Sequence, residues 1–149
     1  MNTTKLDSLA LWQLIILNEG ATFKTTGRGT KPGVEFTYEV SRTTSAAGRH
    51  YAGQSVPGYG NELWIISSTG LRKKKSISRS TVDLAYRNAV EEQEREGFVS
   101  GPRKLGVPGV RSNLYAMFVK FGVIRGALNN GEAADVSESV AAAANANAG

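Results

Sequence analysis

Residues 101–124, GPRKLGVPGVRSNLYAMFVKFGVI, read as a short helix, a tight turn and a second, amphipathic helix. Pro102 suits a first helical position, because its ring presets φ and its missing N–H would have no partner there. Gly106, Val107, Pro108 and Gly109 supply the turn. From Val110 or Arg111 a second helix is expected to Phe121, since Leu114, Met117, Phe118 and Phe121 recur at i, i+3, i+4 and i+7. That stripe should face a core, with Arg111, Asn113, Tyr115, Ala116 and Lys120 lying off it. Arg103, Lys104, Arg111, Lys120 and Arg125 are basic, and no Asp or Glu lies between Gly97 and Ala127. A segment so one-sided in charge suits a phosphate surface.

Upstream, Ser80-Thr81-Val82-Asp83 has the form of a capping box. Val82, Ala85, Tyr86, Ala89 and Val90 then keep helical spacing toward Glu96, and Gly97 closes the helix. Before it lies a strand-rich stretch. Residues 34–40 alternate, with Val34, Phe36, Tyr38 and Val40 on one face and Glu35, Thr37 and Glu39 on the other, the period of a half-buried antiparallel strand. Residues 22–25 and 62–67 read as further strands, and 71–77 as a short edge strand after a turn at 68–70. Residues 41–61, rich in Ser, Ala and Gly, form a long hairpin connection. At the start, Thr4-Lys5-Leu6-Asp7 is a second capping-box pattern, and LALWQLIILNEG is a helix ending at Gly20. Its apolar surface is wider than one stripe, which suits a buried helix or a docking one.

The chain has 149 residues, 40% hydrophobic and 21% charged, within the ordinary globular range. Its net charge is +5 and its pI near 9.6. The excess is uneven. Residues 71–126 carry 12 basic and 5 acidic side chains, +7, whereas residues 1–70 stand at +1 and residues 127–149 at −3. Without cysteine there are no disulfides and no Cys-based metal sites, and a cytoplasmic location is the simple expectation. His50 is the single histidine, which rules out a multi-His metal site and disfavours a His-based triad. The apolar run at 9–17 is too short to span a bilayer and makes a poor signal peptide.

Several constellations could carry chemistry. The first turn of the second helix is where helix-turn-helix proteins present side chains to base edges, with Arg111 suited to guanine and Asn113 to adenine. Ser112 is either a helix cap or a base contact, and Tyr115 joins that surface. Arg103, Lys104 and Lys120 would hold phosphates, adding affinity and salt dependence without sequence choice. Arg72, Lys73, Lys74 and Lys75, with Arg79 behind them, form a second basic cluster. It reads as an arm on the DNA backbone or as a Lys-rich edge that blunts strand-to-strand aggregation. Residues 27–33, GRGTKPG, lack the Gly-Lys-Ser/Thr ending of a phosphate loop. Glu91, Glu92, Glu94 and Glu96 read as a solvated helix face. Phe36, Tyr38 and Trp64 read as core in preference to a base-stacking platform.

Leu105-Gly106-Val107, Ser112, Leu114-Tyr115 and Gly122-Val123-Ile124 resemble the helix-turn-helix hairpin of many bacterial regulators and recombinases. The pattern there is Leu-Gly-Val, a short turn, Ser-x-x-Leu-Tyr and a closing Gly-Ile or Gly-Val. Pro108-Gly109 departs from it by stiffening the turn. The resemblance covers 24 of the 149 residues. EFTYEV, ELWIIS and SRSTVDLAYRNAVE also faintly resemble small uncharacterised proteins of phages and mobile elements.

The expected fold is α+β: an N-terminal helix, a small antiparallel sheet of about three strands, and C-terminal helices with a helix-turn-helix-like hairpin. Residues 1–126 are expected to form one domain with a basic C-terminal half, and residues 127–149 a flexible Ala/Asn-rich tail. The expected function is non-enzymatic nucleic-acid binding, with duplex DNA as partner, as a regulator or mobile-element accessory protein. No cofactor, metal or membrane enters this reading, and the wide apolar surface of the first helix leaves room for a protein partner or a homodimer. The alternatives are a phage-encoded, anti-CRISPR-like inhibitor of a host protein or protein–RNA complex, and a metal-dependent nuclease.

Overall fold

The computed structural model describes residues 5–27, 32–43, 55–67 and 72–126, with the side chains of 67 and 72–74 outside that description. Thr4, residues 28–31 of the GRGTKPG loop, residues 44–54 of the connection expected at 41–61, the turn at 68–70 and the tail from 127 therefore lie outside the described residues, while 41–42 and 59–61 belong to strands. The order is helix α1 (Ser8–Leu17), strands β1 (Phe23–Lys24), β2 (Glu35–Arg42), β3 (Tyr59–Ser67) and β4 (Arg72–Ser78), helix α2 (Arg79–Glu96), a 3-10 helix (Pro102–Leu105) and helix α3 (Arg111–Phe121). This is the expected α+β architecture, with four strands in place of about three. The chain divides into two compact units, Leu6–Asp83 and Leu84–Gly149 with Met1–Lys5.

In the first unit the strands form an antiparallel meander, β1-β2-β3-β4. The alternation of β2 buries Phe36, Tyr38 and Val40 and leaves Glu35 and Glu39 exposed. Val34 precedes the strand and is 54% exposed, although its carbonyl accepts from the Thr25 N–H at 2.9 Å. Register carries the buried face across the sheet: Val40 pairs with Leu63 and Leu63 with Ile77. Phe23 stacks on Phe36 at 5.6 Å between ring centroids. Helix α1 covers this face, with Tyr38 donating to the Ile15 carbonyl at 2.5 Å and Trp12 Nε1 to the Gly60 carbonyl at 3.1 Å. Burial, with the charge of Glu19 as a lesser cause, pushes the Tyr38 hydroxyl well above the ordinary tyrosine range.

The helix ends differ from the sequence patterns in an instructive way. Asp7, not Thr4, is the N-cap of α1, its carboxylate accepting from the Ala10 N–H at 2.8 Å. Ser78 plays the same part for α2, accepting from the Thr81 N–H at 3.2 Å, so that helix begins before the expected box. Asp83 is thereby released for a different contact, with Ser8. Just past α1, Glu19 accepts from Arg42 Nη1 and Nη2 at 2.9 and 2.6 Å and from the Val40 N–H at 2.6 Å. The Arg42 guanidinium holds the Glu19 carboxyl below its ordinary value. That guanidinium also lies 4.4 Å from the Tyr59 ring centroid.

In the second unit, Ala85, Tyr86, Ala89 and Val90 of α2 are buried as their spacing predicts, as are Leu114, Met117, Phe118 and Phe121 of α3. Tyr86 and Phe118 meet edge to face at 5.7 Å. Gly97, at φ +87°, ends α2 and donates to the Gln93 carbonyl at 2.7 Å. An isolated parallel bridge joins Val99 to Gly126.

Candidate nucleic-acid interface

The first member of the expected helical hairpin is a single 3-10 turn, Pro102–Leu105, and the second is the full α-helix Arg111–Phe121. The turn between them is held from α2. Asn88 Nδ2 donates to the Leu105 carbonyl at 2.9 Å and lies 3.1 Å from where a Cβ on Gly106 would stand. Gly106 and Gly109 have φ of +69° and +92°, and Val107 has φ +41°. A β-branched residue in the left-handed region costs about 1–2 kcal/mol, so the surrounding contacts hold this turn against local preference.

The segment keeps its cations at the surface. Arg103, Lys104, Lys120 and Arg125 are exposed, Arg111 is half-buried and Ser112 is exposed. Ser112 does not cap α3: the N-cap is Val110, with no side-chain bond. Arg87 of α2 is also exposed, a cation that the apolar spacing of its helix does not single out.

Three site residues are placed differently from expectation. Asn113 is 6% exposed and Tyr115 7%, so neither presents itself as a base reader. The Tyr115 hydroxyl donates to the Val99 carbonyl at 2.8 Å and stands 3.0 Å from where a Cβ on Gly126 would be. It fastens the Val99–Gly126 bridge. Arg79 is fully buried and is not part of a basic arm. Lys104 stays exposed, with its Nζ 3.9 Å from Glu92 Oε2. Glu92 in turn is not on a solvated face. It is 6% exposed and also pairs with Arg95, as a buried carboxylate must keep cationic partners.

Arg72, Lys73, Lys74 and Lys75 fall on β4, which ends the sheet order, with Lys75 half-buried. Phe36 and Tyr38 are core residues, while Trp64 is half-buried. Among the described residues no group of three or more His, Asp or Glu side chains could hold a metal ion, and no helix is long and apolar enough to cross a membrane.

Comparison with known proteins finds no matching family, no similar curated protein and no similar solved structure. The helix-turn-helix resemblance therefore stands on the residues of the 101–124 segment alone.

Proposed function

We propose that this protein binds nucleic acid without transforming it, as a regulator or mobile-element accessory protein, through the basic segment that ends in α3. One observation carries this reading. Residues 97–126 hold five cations and no Asp or Glu. Four of those cations are exposed and the fifth, Arg111, is half-buried. The segment is also ordered by specific bonds, from Asn88 to Leu105 and from Tyr115 to Val99. A positioned cationic surface gains more from phosphate than a mobile one, since less ordering is needed on binding. The Arg-Lys-Lys-Lys run on β4 adds a second source of positive charge.

A salt-titrated binding assay on random duplex DNA, single-stranded DNA and RNA tests the proposal. Neutralising about four phosphates gives an expected log–log slope near −4 on duplex DNA. A flat salt response, or no binding at low salt, would remove the electrostatic basis of the reading.

A further inference from the structure

We propose, resting on the nucleic-acid reading above, that the ligand is duplex DNA held by its phosphate backbone with little choice of base sequence. Selective base reading requires several polar side chains of one helix to enter one groove together. Here α3 is short of them. Asn113 and Tyr115 are turned into the protein, with Tyr115 committed to Val99. At about 100° per residue, the open face of α3 consists of Ser112, Ala116, Val119 and Lys120. These are exposed or half-buried, and their neighbours at 113, 114, 115, 117, 118 and 121 are buried.

The two cations of α3 are also badly placed to read one set of bases. Arg111 and Lys120 are nine positions apart, which puts them about 180° apart around the axis and about 13 Å apart along it. A side chain on each flank suits the two phosphate ridges bounding a groove about 12 Å wide. Between them Ser112, Ala116 and Val119 offer one hydroxyl and small apolar groups, while Tyr115 on the same arc is buried; a serine hydroxyl can donate to or accept from a base edge and so does not discriminate.

A double strand is favoured over a single one by the aromatics. Stacking on unpaired bases needs exposed ring faces. Of the aromatic residues in 84–126, Tyr86, Tyr115, Phe118 and Phe121 are 7% exposed or less, leaving Phe98 at 38%.

The test uses the full chain and fluorescence anisotropy at low salt. The probes are three duplexes of about 20 base pairs, alternating A·T, alternating G·C and mixed, with the mixed single strand as the fourth. The duplexes are expected to agree within about fivefold, and the single strand to bind more than about fivefold more weakly. Arg111→Gln and Lys120→Gln should each weaken all three duplexes by a common factor of about three to ten. A wider spread among duplexes, or losses confined to one of them, overturns base indifference while leaving nucleic-acid binding intact. A single strand bound within that margin overturns the choice of duplex. Failure to bind any probe removes the nucleic-acid reading itself.

Discussion

The hydroxyl of Ser8, at the first position of α1, donates to Asp83 Oδ2 at 2.8 Å across 75 positions of chain. It also accepts from Arg79 Nε at 3.2 Å, and Arg79 Nη1 reaches Asn61 Oδ1 at 3.2 Å. The guanidinium carbon stands 5.7 Å from the Trp12 ring centroid. Two helix starts and one strand are thus tied to one buried cation. Arginine suits the position because its planar fork serves several acceptors at once while its face meets an aromatic ring.

Arg79→Gln should therefore act on stability. Leaving Ser8 and Asn61 without those donors is expected to cost about 2–4 kcal/mol in denaturant unfolding. The affinity of the folded protein for DNA should stay within about twofold, since a buried side chain reaches no phosphate. Weaker binding at unchanged stability would return Arg79 to the surface.

Glu92 restrains the basic surface through Lys104 and Arg95, whose side chains are 48% and 64% exposed. Glu92→Gln removes that negative charge. Binding of duplex DNA at low salt should tighten by about two- to fivefold, and the gain should fade at high salt. The substitution should also lower the melting temperature, because a buried amide holds the two cations less well than a carboxylate. Unchanged affinity at low salt would place Lys104 away from the bound phosphates.

The turn before α3 depends on glycine. Gly106→Ala is expected to destabilise by about 1–2 kcal/mol, from the left-handed φ together with crowding of Asn88 Nδ2. Gly109→Ala meets open space and should cost only the strain, about 1 kcal/mol. Urea unfolding of both variants measures the difference, and equal costs would show that Asn88 yields freely.

Stability should fall in acid partly through Glu19. Its folded pKa is lowered from 4.5, chiefly by the hydrogen bonds from Arg42 and despite some desolvation. A lowered folded value means the contribution is complete above about 4.5 and is lost as pH falls through the folded value. Glu19→Gln should melt lower than the natural chain at neutral pH, and the two curves should approach each other below about pH 4. A constant gap across that range would show that the ion pair does not titrate with folding.

Much of the fold was legible because burial patterns are local. The alternation at Phe36, Tyr38 and Val40 and the helical spacing at Leu114, Met117, Phe118 and Phe121 each require only the geometry of one element. Helix starts were less legible. Thr4 and Ser80 have the right chemistry, but Asp7 and Ser78 take the caps because the flanking chain reaches its helical geometry later in one case and earlier in the other.

The order of α and β elements, the buried faces of β2 and α3, and the concentration of positive charge beyond residue 70 follow from the chain read residue by residue. Which polar residues remain available depends instead on packing between segments distant in the chain. Asn113 and Tyr115 lie off the apolar stripe, yet α3 is covered on more than one side, and Tyr115 meets Val99 from a separate segment. Arg79 belongs to a basic run in sequence, yet Ser8 and Asn61 surround it with acceptors. The physical reason is common to both. Charge and periodicity are properties of neighbouring residues, whereas the exposure of a polar side chain depends on distant residues that can satisfy its hydrogen bonds.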